Sequence, residues 1–323
     1  MARCLVVFGA SLVMAVSVGG CARMGSEVAQ PSEIGSLAPE SVGAEPYGPA
    51  TDDVVHAARE AGGQAPKPAT YFHDKCEYIL KNFVDDKGMV DYQGLRQKRF
   101  GLRSLLDEFK RLDPAEYKSW SGDDKTAFWI NAYNLEKLKI VAENYPIKPS
   151  SRILTVYWGP FSLRHIEDKI AVHKFLVMDE QFTFARIEKR FFSEESGDPR
   201  VFFALTSASL SSPPLRNEPY YGHKLNEQLE SQARRFTSSP IAFDIDREKQ
   251  VVSLSAMFEL SSHGKDFLKK YATGKKFKVH PPVTRAVLNF ITNYISEQDV
   301  SFLGVGDYSV KYMKHDWTIN DGS

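Results

Sequence analysis

The sequence predicts an α+β fold, a single mixed helix and strand globular domain, and three observations lead there. Hydrophobic residues make up 42% of the 323 and aromatics 12%, enough apolar side chain to bury a full-sized core. Helical and strand periodicities are interleaved without the regular alternation that a doubly wound parallel sheet requires. Residues poor in large apolar side chains are confined to the beginning, so residues 71–323 read as one domain without internal repeats.

The elements follow in order. A first helix is predicted over His73–Phe83, followed by a hairpin turn at Asp86-Lys87-Gly88 with Val84 and Met89-Val90 as its strand ends. A second helix covers Leu102–Leu112. The best-defined helix runs over Asp124–Glu143, where Ala127, Phe128, Leu135, Leu138, Val141 and Ala142 recur at helical spacing until Pro146 stops it. Ser162 caps a shorter helix with Leu163, Ile166 and Ile170 on one side. The continuous apolar run Val201–Thr206 reads as a buried strand. Leu225, Leu229, Ala233 and Phe236 mark another amphipathic helix. Ile241-Phe243-Ile245 and Val251–Leu254 form a hairpin, and Pro281-Pro282 open a last helix through Val287, Phe290 and Tyr294.

The beginning of the chain has a different character. Arg3 precedes an apolar stretch from Leu5 to Val18, which is shorter than the roughly 20 residues of a spanning helix and therefore reads as a secretory leader, residues 1–20. Val18-Gly19-Gly20-Cys21 resembles the bacterial lipobox, in which the Cys thiol is acylated before the leader is cut away. The expected product is a protein anchored in a membrane through a lipid on Cys21. Ala22, in place of Asp, is similar to the pattern sent to the outer membrane, so the expected location is the bacterial cell envelope, facing the periplasm. Residues 21–70, rich in Gly, Pro, Ala, Ser and Glu, then read as a flexible tether.

With 41 basic and 41 acidic side chains there is no net charge to favour nucleic acid, so expected partners are the membrane and an envelope protein or small polar ligand. Cys76 is the one thiol left beyond Cys21, so no intramolecular disulfide is expected, and beside Ile79 and Leu80 it reads as a small apolar group. The eight histidines lack metal-ligand spacing, and neither a metal nor a cofactor is expected.

Three segments carry chemistry: Ala127-Phe128-Trp129-Ile130-Asn131-Ala132-Tyr133-Asn134, then Ser162-Leu163 with Ile166-Glu167, then Ser211-Ser212-Pro213-Pro214-Leu215-Arg216-Asn217-Glu218. In that order they resemble the domain of unknown function 547 family. The ending Lys311–Asn320 resembles that family's closing strand. The resemblance implies no settled activity. It does imply that relatives carry Cys where this chain has Ser207 and Ser212, and His where it has Phe202 and Asp168. Each difference removes nucleophile or base character, because a Ser hydroxyl needs an aligned base where a Cys is already partly thiolate.

Two accounts of these residues stay open. Asn131 and Asn134 share a helical face with Phe128, Leu135 and Leu138, so their amides either tie neighbouring loops to the helix or line a polar pocket. In the second case Asn131, Asn134, Glu167, Arg216 and Asn217 bind a ligand without covalent chemistry. Alternatively, the domain is a serine- or papain-like hydrolase of peptide, amide or ester bonds, with Ser212 as nucleophile, His165 or His315 as base, and Glu167 or Asp316 as orienting carboxylate. No Gly-x-Ser-x-Gly elbow surrounds Ser212.

Overall fold

The computed structural model describes residues 68–149, 151–260, 264–272 and 276–323, all within the compact unit Ala58–Ser323. The leader, Cys21 and the stretch up to residue 67 lie outside the described residues. Helix α1, Ala69–Phe83, buries Phe72, Cys76, Ile79, Leu80 and Phe83 at spacings of three and four, one face of a helix. Val84 then pairs with Val90 across the expected turn, where Asp85 accepts hydrogen bonds from the backbone N–H of Lys87 (2.9 Å) and Met89 (2.8 Å). Gly88 is required there. Its φ is +85°, and a Cβ would lie 2.7 Å from the Leu215 backbone nitrogen.

Helix α2, Arg99–Lys110, buries Leu102, Leu105, Leu106 and Phe109. Helix α3, Gly122–Glu143, starts where Ser121 accepts the N–H of Asp124 at 3.0 Å and is buried on every side from Ala127 to Leu138. A helix buried on every side lies in the middle of a core, and its buried polar residues Asn131, Asn134, Glu136 and Lys137 then need partners there. Phe128 packs against Phe72, Phe109 and Trp120, and the Trp129 indole stacks on Phe191 with centroids 3.7 Å apart.

Helix α4, Arg152–Trp158, buries none of its residues. Ser162 accepts the N–H of Arg164 as the cap of a short 3-10 turn, Leu163–Ile166, which continues as an α-helix over Glu167–Val172. Strands β1, Phe175–Val177, and β2, Glu180–Phe182, form a hairpin that the sequence reading missed. Its turn residues Met178 and Asp179 both have positive φ, as a two-residue turn matched to strand twist demands. Their N–H groups donate to the carbonyls of Phe109 and Lys110, the open end of α2. A tertiary contact therefore holds a conformation that Met and Asp disfavour alone.

The run expected as a buried strand is instead a 3-10 helix, Pro199–Ala204. Pro199 sits at its first position and Asp198 caps it by accepting the N–H of Arg200. The run is apolar on every side because it lies between two clusters: Val201 and Ala204 belong to the core around α3, Phe202 and Phe203 to a second one. Helix α5, Leu225–Thr237, and helix α6, Pro282–Ile291, frame that second core with the sheet β3 (Phe243–Asp246), β4 (Val251–Leu254) and β5 (Ser309–Tyr312). Strand β4 pairs antiparallel with β3, register Ile245 to Val252, and parallel with β5, register Val252 to Val310. The architecture is mixed helix and strand, as expected.

Beyond β5, residues 316–322 run extended and join segments far apart in the chain. The Trp317 carbonyl accepts from Leu163 (2.9 Å), that of Thr318 from Leu210 (2.8 Å), and that of Asn320 from Val90 (2.9 Å). In the other direction Ile319 donates to Phe161 and Asn320 to Ala208. Asn320 adds its side chain, accepting from the Tyr92 hydroxyl at 2.9 Å and donating to the Gly88 carbonyl at 3.0 Å.

Candidate functional site

The two asparagines of α3 are structural ties. Asn131 spans the backbone of one residue, with its Oδ1 accepting the N–H of Tyr220 (2.9 Å) and its Nδ2 donating to that residue's carbonyl (2.8 Å). The second amide proton goes to His73 Nδ1 at 3.1 Å. Asn134 does the same for the exit of the 3-10 helix, donating to the Ala204 carbonyl (2.8 Å) and accepting from Thr206 N–H (2.9 Å). All four amide atoms are thus spent on backbone. They are not presented to a ligand.

The other expected ligand-binding residues are spread over separate contacts. Arg216 pairs with Glu218, and Asn217 donates to Asp86 at 2.8 Å. Glu167 is exposed and pairs with Arg164 at 3.3 Å. The pocket expected from Asn131, Asn134, Glu167, Arg216 and Asn217 is therefore not assembled as such.

The trio Ser212, His165 and Glu167 is not joined by any hydrogen bond or ion pair. The Ser212 hydroxyl accepts the N–H of Ser207 at 2.9 Å, closing the serine turn. His165 Nε2 lies 2.8 Å from the Gly159 carbonyl, which only accepts, so that nitrogen carries the proton and is unable to act as a base toward serine. Cys76 is buried and donates to the Phe72 carbonyl, and burial pushes its thiol pKa far up, so it is inert.

What the structure does bring together is a different set. The Ser207 and Ser209 hydroxyls are 2.8 Å apart, and Ser209 Oγ is 2.9 Å from His315 Nε2. Ala208 between them has a φ of +63°, outside the range most residues adopt. The N–H groups of Ser207 and Ala208 are taken by Ser212 Oγ and Thr206 Oγ1, so this turn does not offer them to an oxyanion. His315 Nδ1 is buried without a partner, so no carboxylate orients the ring. Burial lowers the His315 pKa; nearby Asp316 opposes this and Arg164 adds to it.

His315 opens onto a cavity of about 680 Å³, lined by Tyr157, Trp158, Arg164, Lys314, His315 and Trp317, with Ser162, Ala256 and Asp316. Trp317 is held between the His315 ring (centroids 4.2 Å apart) and the Arg164 guanidinium (4.7 Å above its centroid). Lys314 is exposed and unpaired, whereas Asp316 is occupied at 2.9 Å by the N–H of Thr318. The cavity thus combines aromatic side chains with the cations Lys314 and Arg164, the latter paired with Glu167, and the carboxylate of Asp316. A second cavity of about 350 Å³ holds Ser209 and Ser212 with Gly88 and Arg235. Among the described residues no group of three His, Cys, Asp or Glu is arranged to hold a metal ion, and no helix is long and apolar enough to cross a membrane.

Residues 117–237 match the family model described as "Protein of unknown function, DUF547". That segment contains the three motifs of the resemblance at 127–134, 162–167 and 211–218, with α3, the serine turn and α5, while the ending Lys311–Asn320 lies outside it. No curated protein and no solved structure matches the chain. The cleft residues Trp158, Arg164 and Ser162 lie inside the matched segment, and Lys314, His315 and Trp317 beyond it. Sequence reasoning named His315 but not its partner Ser209, because 106 residues separate them and only the extended segment 316–322 brings them together.

Two outcomes follow from the buried ties. Asn134→Ala leaves the Ala204 carbonyl and Thr206 N–H unpaired in the core, and is expected to lower the unfolding free energy by about 2–4 kcal/mol in urea titrations. His73 accepts from Asn131 at Nδ1, so its proton sits on Nε2, and burial lowers its pKa to about 4 despite the carboxylates of Asp124 and Asp74. The unfolded chain therefore binds a proton that the folded one refuses between the ordinary histidine value and about 4. Stability is expected to fall by up to roughly 3 kcal/mol as pH drops through that window, and His73→Gln should flatten the drop.

Proposed function

We propose that this chain is an exported lipoprotein, held through acylated Cys21 on the bacterial outer membrane facing the periplasm, whose domain binds an anionic, ring-bearing ligand in the Trp317 cleft. The leader from Leu5 to Val18 and the lipobox-like Val18–Cys21 support the anchor. The lining of the cleft supports the ligand class. Tyr157, Trp158 and Trp317 supply aromatic surface for a ring, and Arg164 and Lys314 supply charge for a carboxylate or phosphate. An acidic sugar has both features. No covalent step is part of this reading: Ser209 is buried, His315 lacks an orienting carboxylate, and the nearby turn amides are occupied.

A hydrolase is the second reading, and the Ser207–Ser209–His315 hydrogen-bond chain favours it over the Ser212, His165 and Glu167 set. There Ser207, the more exposed hydroxyl, attacks while Ser209 passes its proton to His315.

Titration with glucuronate and a hexose phosphate, followed by tryptophan emission, is expected to give saturable quenching that Arg164→Ala weakens about tenfold, the cost of one charge-assisted contact. Absence of saturation with every acidic sugar tried defeats the binding reading, and fluorophosphonate labelling lost in Ser207→Ala replaces it with the hydrolase. Intact-mass measurement of the protein extracted from its native membrane should show a chain that begins at a diacylated Cys21. An unmodified Cys21 removes the anchor.

A further inference from the structure

The cleft opens beside a surface that the fold does not cover. On α4, Ile153, Val156 and Tyr157 are 71%, 84% and 75% exposed, and Phe161, after the helix, is 59% exposed. Residues three and four apart lie on one helical face, so Ile153, Val156 and Tyr157 form a single apolar ridge. Such a contiguous apolar surface marks a place where something binds. Tyr157 belongs to both the ridge and the cleft wall, and Trp158 beside it also lines the cleft.

The charges around the ridge select its occupant. Lys148, Arg152 and Lys314 are exposed cations with no ion pair among the described residues. The acidic groups on the neighbouring elements are Glu167, paired with Arg164, Asp316, occupied by the Thr318 N–H, and Asp168, exposed on the following helix. Aromatic and aliphatic side chains on a short amphipathic helix, flanked by Lys and Arg, are the composition that enters the interface of an anionic bilayer. A second copy of this chain would bring the same cations against one another.

We infer that the Ile153–Val156–Tyr157–Phe161 ridge docks into the headgroup region of an anionic lipid bilayer and holds the cleft at the membrane surface. This deepens the lipoprotein reading, whose anchor would keep the domain within reach of such a surface. The ridge inserts its apolar side chains while Arg152 and Lys314 contact lipid phosphates.

The test separates the ridge from the anchor by using residues 22–323, which carry neither the apolar leader nor Cys21 and contain the whole compact unit Ala58–Ser323. Tyr157→Trp in that chain places a reporter on the ridge. On phosphatidylglycerol vesicles with brominated acyl chains, the emission added by Tyr157→Trp is expected to be quenched, and only weakly so on phosphatidylcholine. Val156→Asp should raise the lipid concentration needed for half-maximal quenching about tenfold or more, from loss of one buried apolar side chain and gain of a charge. Far-UV circular dichroism should be unchanged, because Val156 is exposed. No quenching on anionic vesicles overturns the inference, as does equal quenching on neutral ones. Concentration-dependent self-association that Val156→Asp abolishes also overturns it. An unmodified native Cys21 removes the anchor alone, and leaves the vesicle result standing.

Discussion

The extended segment 316–322 is the constraint on which the rest of the structure depends. Its backbone hydrogen bonds reach the Phe161–Leu163 turn, the serine turn at Ala208–Leu210 and the Val90 end of the first hairpin. Contacts this distant in sequence form late, since each closes a long loop whose entropy opposes it. Once formed, they place Trp317 against Arg164 and His315 against Ser209. The cleft therefore exists only in the completed fold.

The same logic explains the buried amides. A 22-residue helix that is buried on every side from Ala127 to Leu138 fixes its own axis but not the loops passing over it. Asn131 and Asn134 supply that missing register by pairing with the backbone of Tyr220 and of Ala204–Thr206. Each pair satisfies groups that would otherwise be buried without partners, so the motif's polar letters carry architecture. Substituting such residues costs stability before it touches any ligand.

How much of this was legible from the sequence depends on whether the signal was local. Helix α3 was, because Ser121 caps it and its apolar residues keep helical spacing, and the hairpin β3–β4 was, because Phe243 and Ile245 alternate with polar residues. The hairpin β1–β2 was not. Met178-Asp179 is a poor turn by propensity, and its positive φ angles are held by donation to the carbonyls of Phe109 and Lys110 on α2. Val201–Thr206 misled for a related reason: continuous apolarity reports burial on all sides and does not distinguish a strand from a 3-10 helix between two cores. The serine cluster and His315 were visible as residues, but their pairing was not, since no periodicity encodes a contact across 106 positions.

Helix α4 shows how fold and function separate in this domain. Most large apolar side chains of the described residues are drawn into one of two cores, whereas Ile153, Val156 and Tyr157 face outward together on a helix with no buried residue. Leaving them in water forgoes roughly 25 cal/mol for every Å² that burial would remove from solvent. Folding alone gives no reason for that composition, because polar residues would cap and solvate such a helix equally well. On the docking proposal, the compensation comes from a lipid surface outside the domain. Because Tyr157 also walls the cleft, a surface that covers the ridge would also fix the mouth of the cleft. On these two proposals, recognition at Trp317 and attachment at α4 would share one structural element.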